Sequence, residues 1–131
     1  MLALILLVLG LYVVQIYLVS ILCFSESGLS NNEMVTVGMG SRDDTPSLTV
    51  RGSRAERALN NLKESMPIFL TLAVLAIVLE KDSGLALTSA AAFFVARVIY
   101  VPLYVKGIPF LRSGVWIVAF FSLFVMAFSL V

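Results

Sequence analysis

The chain has 131 residues, of which 60% are hydrophobic and only 13% are charged, with a net charge of +1. A soluble domain would not be this apolar, so the composition indicates an integral membrane protein. The near-neutral charge gives no electrostatic reason to expect nucleic-acid binding. The single cysteine and the lack of histidine argue against disulfides, metal sites and histidine-based acid–base chemistry.

Four segments are predicted to span the membrane as helices, at about residues 2–24, 54–80, 84–105 and 110–131. The first, third and fourth contain roughly the 20 apolar residues that a helix needs to cross the hydrocarbon core. The second has only about 15 apolar residues before Glu80, so it spans only if the helix begins inside the preceding polar stretch. The first segment lacks a basic n-region and a cleavage pattern, and we expect a retained helix there.

The connections between these segments predict the topology. Residues 25–53 form the one long polar connection, and their composition is typical of a loop. Ser53 is predicted to cap the second helix, with Glu56 three residues later as in a capping box. Residues 80–84 and 106–109 are short turns, which make helices 2, 3 and 4 antiparallel neighbours. The sequence therefore predicts one all-α domain, residues 1–131, forming an up-down four-helix membrane bundle.

The basic residues predict how the bundle is oriented in the membrane. Seven of them lie in or beside the first and third connections: Arg42, Arg51, Arg54, Arg57, Lys63, Lys106 and Arg112. Lys81 alone lies at the second connection, on the opposite side. The positive-inside rule places loops 1 and 3 in the cytoplasm and both termini on the other side. We expect a multi-pass membrane protein with this orientation.

Polar residues form stripes on two of the predicted helices. On the second helix, four of them recur every three or four residues and share one face: Arg54, Arg57, Asn61 and Glu64. A similar stripe follows on the third helix: Arg97, Tyr100 and Tyr104. Arg112 opens the fourth helix, and the up-down topology brings all these groups to the same depth, in the cytoplasmic third of the bundle.

Each of these residues also has a structural interpretation. The arginines could extend to lipid headgroups, the tyrosines could form an aromatic belt, and Asn61 could bridge helices. Arg97 is harder to explain in this way, because it lies roughly 12 Å inside its helix and an intramembrane arginine needs a partner. Glu64 is the expected partner of Arg97 or of Arg57. Together the set suits a zwitterionic or polyanionic ligand better than lipid.

These residues resemble a known family. The run Arg57-x-x-x-Asn61-x-x-Glu64-x-x-Pro67, preceded by Arg54, is similar to the second-helix signature of the MAPEG superfamily, the membrane-associated proteins in eicosanoid and glutathione metabolism. Residues 96–113, "ARVIYVPLYVKGIPFLRS", resemble that family's third helix and the turn to its fourth. The resemblance extends over the whole chain. It implies a homotrimer that binds glutathione between neighbouring subunits near the cytoplasmic face.

The resemblance also implies roles for individual residues. Five would contact glutathione: Arg57, Asn61, Glu64, Tyr100 and Tyr104. Arg54 and Arg97 would support them, and Arg112 would stabilise the glutathione thiolate, which is the nucleophile. Ser113 could hydrogen-bond the thiol or satisfy a helix-start amide. Trp116 is expected to face lipid or a neighbouring helix.

The chain departs from the family pattern near the end of helix 1. Eicosanoid-synthesising members have a basic residue there, whereas "ILCFSES", residues 21–27, has none. This difference favours a prokaryotic-type member with general conjugating or peroxide-reducing activity over a dedicated eicosanoid synthase. We expect a glutathione-dependent membrane transferase or peroxidase that acts on lipophilic electrophiles entering from membrane lipid, with no metal.

Two other functions remain open from the sequence. The first is a non-catalytic scaffold or partner-binding protein that keeps the family fold. The second is a small transporter that uses Arg97 and Glu64 as a charged relay. The transporter is less favoured, because Glu80 and Asp82, the other acids near the bilayer, lie at the opposite membrane surface.

Overall fold

Four α-helices make up the described part of the chain, which is residues 1–26, 28 and 49–131 of a computed structural model. The helices are α1 (Leu2–Glu26), α2 (Val50–Val78), α3 (Gly84–Lys106) and α4 (Pro109–Leu130), and these residues include no strand. All four are long and apolar enough to cross a membrane. The predicted all-α four-helix architecture is confirmed. Most of the predicted loop, including Arg42, lies outside the described residues.

The start of α2 differs from the prediction. Thr49, and not Ser53, is the N-cap residue: its backbone is extended, and its hydroxyl oxygen accepts a hydrogen bond of 3.0 Å from the Gly52 N–H. The predicted capping box at Ser53 and Glu56 is wrong, because Ser53 is already helical and its hydroxyl accepts from the Arg57 guanidinium at 2.8 Å. Thr and Ser both cap well, so local sequence does not distinguish the two starts.

Packing against α1 explains the earlier start of α2. A β-carbon at Gly52 would stand 2.6 Å from Sγ of Cys23, so the missing side chain is what allows α1 to approach the first turn of α2. With 29 residues, α2 is about 44 Å long, whereas the hydrocarbon core is only about 30 Å thick. The polar first turns of α2 can therefore stand outside the hydrocarbon.

The interior of the bundle consists mainly of small residues around a pair of stacked aromatic rings. Phe69 of α2 and Phe93 of α3 stack with ring centroids 4.8 Å apart and planes within 10°. Alanines around this pair allow the helices to approach closely. The core cluster comprises Val8, Phe69, Ala73, Ala76, Ala90, Phe93, Ala96, Ala119, Leu123 and Met126. Large apolar side chains are instead exposed along the outer surface, which is the arrangement expected of a bundle immersed in lipid.

The turn between α3 and α4 positions two residues of the predicted site. Gly107 ends α3 in the left-handed conformation, with φ of 77°. The N–H groups of Gly107 and Ile108 return to the carbonyls of Tyr104 and Leu103 at 3.1 Å each, which is a Schellman motif. Pro109 then begins α4 at once. The tight reversal sets the first turn of α4 against the last turns of α3.

Candidate functional site

A buried arginine forms the centre of the polar site. Arg97 on α3 is only 1% exposed, and its Nη1 donates a hydrogen bond to Oδ1 of Asn61 on α2. The expected ion pair with Glu64 is wrong: among the described residues, neither Arg97 nor Arg57 forms an ion pair with that carboxylate. The amide lies one turn before Glu64 on α2, and the Glu64 side chain points outward, where it is exposed.

The rest of the Arg97 guanidinium is surrounded by aromatic rings. Its central carbon lies 5.2 Å from the Phe93 ring centroid, 5.6 Å from that of Tyr100 and 5.7 Å from that of Phe120. These are cation–π distances. Nε and Nη2 have no hydrogen-bond partner in the described part of the chain. Buried donors of this kind normally have an acceptor, so the three N–H groups on these two nitrogens are left unpaired in the centre of the site.

A cleft of about 380 Å³ opens between α3 and α4 beside this centre. It is lined by Tyr100, Tyr104, Arg112, Ser113, Trp116 and Ile117. Its volume falls in the usual range for small-molecule sites, roughly 300–1,000 Å³. The guanidinium carbon of Arg112 lies 4.4 Å from the Tyr104 ring centroid, and the Tyr100 and Tyr104 rings are 5.3 Å apart. We call this the aromatic cleft.

Contacts link five of the predicted site residues into one continuous path. Asn61 bonds to Arg97, Arg97 lies against Tyr100, Tyr100 against Tyr104, and Tyr104 against Arg112. The path runs from the interior of the bundle to the first turn of α4. It combines two cations, two phenols and one amide in a partly apolar setting. Such groups can bind an anionic or polar ligand and can stabilise a negative charge that forms beside Arg112.

Ser113 lines the aromatic cleft one residue beyond Arg112. Its hydroxyl donates to the Pro109 carbonyl at 3.1 Å. The proton of the hydroxyl is therefore already used in a bond to the helix backbone. The hydroxyl oxygen keeps its capacity to accept a hydrogen bond, for example from a thiol.

Three predicted site residues on α2 lie away from the cleft. Arg54 donates from Nη1 to the Val105 carbonyl at 3.3 Å, and its guanidinium lies against Gly107. Arg57 is exposed, and its guanidinium bonds to the Ser53 hydroxyl. Glu64 is exposed as well. The shared face of α2 is real, but within one chain only Asn61 reaches the path of contacts that leads to the cleft.

Trp116 borders the aromatic cleft on the outer surface of α4. It lines the aromatic cleft, where its ring packs against Phe120 with centroids 4.5 Å apart, and 38% of its surface is exposed. An exposed ring on the outside of the bundle is compatible with the expectation that Trp116 faces lipid, and the structure adds that it borders the aromatic cleft. Its spacing gave a usable signal, because Trp116 follows Arg112 by four residues and Ser113 by three, which places all three on one side of α4.

Within the described residues, no group of three or more histidine, cysteine, aspartate or glutamate side chains is placed to hold a metal ion. The groups that meet at the site are instead guanidinium, phenol, hydroxyl and amide groups on membrane-spanning helices. Together the fold and the site define a polytopic helical membrane protein with a polar cleft near one end of the bundle.

Comparison with known proteins gives the family. The model of the MAPEG family matches residues 1–131, the whole chain. The chain therefore belongs to the MAPEG family, and the resemblance of its second and third helices is confirmed. This family includes glutathione transferases and peroxidases as well as non-catalytic members. No curated protein and no solved structure gives a significant match.

Proposed function

We propose that this protein is a glutathione-dependent membrane transferase or peroxidase that acts on lipophilic electrophiles. The observation that carries the proposal is the guanidinium of Arg112, held 4.4 Å from the Tyr104 ring in a cleft that Ser113 also lines. A fixed cation in a partly apolar cleft favours the ionised form of a thiol placed beside it. Membership of the MAPEG family makes glutathione the thiol that we expect to bind there.

Glutathione would lie along the path of polar residues. Tyr100 and Tyr104 offer phenols, Asn61 offers an amide, and Arg97 retains three N–H groups, on Nε and Nη2, without a partner among the described residues. Arg54 would act indirectly, because its guanidinium is bound to the end of α3. These groups suit the carboxylates and peptide carbonyls of a tripeptide.

Arg57 and Glu64 would complete the site from a neighbouring copy. Both are exposed on α2, outside the aromatic cleft of their own chain. Glu64 is an exposed carboxylate in a membrane-spanning segment and needs a partner, whereas Arg57 lies nearer the polar start of α2. A zwitterionic tripeptide between subunits supplies an opposite charge for each. We therefore propose a homotrimer, the assembly that the family resemblance implies, in which glutathione is shared between neighbouring subunits.

The reaction would begin with the thiolate in either activity. In conjugation, the thiolate sulfur forms a bond to an electrophilic carbon, and the electron pair moves to the leaving or acceptor atom, which then takes a proton. In peroxide reduction, the sulfur attacks one peroxide oxygen and the O–O bond breaks, giving the sulfenic acid of glutathione and an alkoxide, which takes up the proton that the thiol released and becomes an alcohol. A second glutathione then forms the disulfide and water. Arg112 would stabilise the thiolate that starts both reactions.

Lipophilic substrates would reach the thiolate from the membrane. Trp116 and Ile117 line the aromatic cleft and are both exposed on α4. In a bundle immersed in lipid, the open side of the cleft therefore has an apolar border. An electrophile dissolved in the bilayer can approach Arg112 along this border without crossing water.

Glutathione binding is the first test. Calorimetric titration of the detergent-solubilised protein should give saturable binding that Arg57→Ala abolishes. Lys63→Ala, which removes an exposed cation outside the predicted face, is the matched control and should bind as the wild type does. Wild-type affinity in Arg57→Ala would refute the assignment of that residue. Failure of the folded wild type to bind would exclude the glutathione-dependent function.

Thiol activation is tested separately. Arg112→Ala should retain glutathione binding but lose the ultraviolet absorbance of the bound thiolate and lose turnover, whereas Arg112→Lys should restore part of both. Wild-type rates in Arg112→Ala would exclude the proposed role. A thiolate signal that is missing even in the wild type would favour the second candidate, a non-catalytic scaffold or partner-binding protein. The acidic Glu26 at the end of α1, where eicosanoid-synthesising members are expected to carry a basic residue, is the observation that favours this candidate.

A further inference from the structure

A second polar cleft lies at the same end of the bundle as the aromatic cleft. It is enclosed by the last turn of α1, the first turn of α2 and the last turn of α3, and its volume is about 430 Å³. Its lining residues are Leu22, Arg51, Arg54, Val105 and Lys106. None of them lines the aromatic cleft. We call it the basic cleft.

The basic cleft carries an excess of positive charge. Arg51, Arg54 and Lys106 contribute three cations, and within the described residues the one carboxylate that pairs with any of them is Glu26, whose Oε1 lies 3.4 Å from Nη1 of Arg51. Three cations and one carboxylate give a charge of +2 among the described side chains that line or pair at the cleft. The nearby acid Glu56 does not line the cleft. The proposed glutathione site does not account for this charge.

One of the three cations is positioned by contacts with the end of α3. Nη1 of Arg54 donates to the Val105 carbonyl at 3.3 Å, and the guanidinium lies where a β-carbon of residue 107 would stand, 2.6 Å from Nη1. Only one of its five N–H groups is used in this contact. The close fit on Gly107 orients the guanidinium without satisfying it, and it leaves a fork of donors that suits the oxygen atoms of a phosphate.

The surroundings of the basic cleft are apolar on the membrane side. Leu22 and Val105 line it together with the cations. On α1, an exposed stripe of Val14, Tyr17 and Ile21 leads towards Leu22, with exposures of 61%, 65% and 61%. These residues are spaced three and four apart and so share one face. A ligand with an anionic head and long acyl chains would match both the cations and this stripe, whereas a free anion would use only the cations.

We propose that the basic cleft binds the phosphate headgroup of an anionic membrane phospholipid, with the acyl chains lying along the exposed face of α1. Basic pockets between membrane-spanning helices are suited to anionic headgroups, because each cation near the surface attracts them. The lipid would link the end of α1 to α2 and α3. At this point the ion pair between α1 and α2 in the described residues is the exposed Arg51–Glu26 contact. Arg54 lines this cleft and also has an indirect role in the proposed glutathione site, but lipid binding here does not require the glutathione function.

Native mass spectrometry of the full-length protein in detergent micelles provides the test. The probe is dioleoylphosphatidylglycerol, and dioleoylphosphatidylcholine serves as the neutral comparison. The wild type should retain phosphatidylglycerol in preference to phosphatidylcholine. Arg51→Gln and Lys106→Gln should each weaken retention about fivefold, the effect expected of one cation near an anionic surface. Lys63→Gln removes one exposed cation outside the basic cleft and should change retention less than twofold.

One further variant is expected to gain affinity for the lipid, a result that misfolding could not explain. Glu26→Gln releases Arg51 from its ion pair and removes the opposing charge, so retention of phosphatidylglycerol should rise several-fold. Equal losses in Lys63→Gln and Arg51→Gln, or no preference for phosphatidylglycerol in the wild type, would overturn the proposal. The last measurement adds inorganic phosphate to the lipid-bound protein. Displacement of the lipid by millimolar phosphate would show that the cleft takes free phosphate, and would overturn the assignment to lipid.

Discussion

The pairing of Arg97 with Asn61 makes a specific prediction about stability. Asn61 Oδ1 is the acceptor for the Arg97 guanidinium, whose Nε and Nη2 are already without partners in the described residues. Replacing Asn61 with Leu would leave a cation that is 1% exposed with aromatic faces alone around it. We therefore expect Asn61→Leu to destabilise the bundle, even though leucine suits a membrane-spanning helix better than asparagine does.

The size of the effect follows from the burial of Arg97. A hydrogen bond to a charged group contributes about 1.5–3 kcal/mol, and removing one partner of a buried charge costs about 3–5 kcal/mol. The three rings around the guanidinium remain and offset part of this loss, because a cation–π contact contributes about 0.5–2 kcal/mol. We expect a loss of about 2–4 kcal/mol in the free energy of unfolding for Asn61→Leu.

A double-mutant cycle separates this explanation from a simple packing defect. Arg97→Met removes the charge itself, so the double variant Asn61→Leu, Arg97→Met should be more stable than Asn61→Leu alone, since a well-packed apolar pair can replace a buried polar pair at little cost. Reversible unfolding in mixed detergent micelles, followed by circular dichroism, measures all four proteins. Additive losses in the double variant would contradict the reasoning, and so would a loss below about 0.5 kcal/mol in Asn61→Leu.

Three further outcomes are expected. Gly52→Ala should cost about 1–3 kcal/mol through overpacking, because the new β-carbon would stand 2.6 Å from Sγ of Cys23. The second change Cys23→Ala should relieve most of that loss in the same unfolding assay. Gly107→Ala should also cost about 1–3 kcal/mol, because residue 107 has φ of 77° and lies against Arg54, whereas a Gly107→Ala protein as stable as the wild type would exclude that strain. Trp116→Ala should raise the KM for a lipophilic electrophile several-fold while leaving the Kd for glutathione unchanged. A change in the Kd alone would place Trp116 in the glutathione site.

Much of the fold is predictable because a membrane imposes one simple requirement on the chain. A helix must present roughly 20 apolar residues to cross the hydrocarbon core, so the number, order and class of the elements follow from hydropathy alone. The stripes of polar residues on α2 and α3 follow from helical periodicity in the same way. The sequence alone therefore groups Arg97, Tyr100 and Tyr104 on one face of α3.

The details that were predicted wrongly all involve contacts between helices. Thr49 and Ser53 have similar capping chemistry, and the approach of α1 to Gly52 explains which of them begins α2. Asn61 and Glu64 lie on the same face of α2, and periodicity cannot tell which one points towards the interior of the bundle. The charge of Glu64 made it the obvious partner for Arg97, but its side chain is exposed.

The sequence by itself thus determined the membrane class, the four helices, the family and most of the residues that line or support the aromatic cleft. Tertiary structure alone decided that Asn61 meets Arg97, that Trp116 borders the aromatic cleft, and that Arg54 lies against Gly107 in a separate basic cleft. The physical reason is that hydropathy and periodicity are properties of one helix at a time. Partners and clefts depend instead on the rotation and depth of one helix relative to the next, which close packing sets.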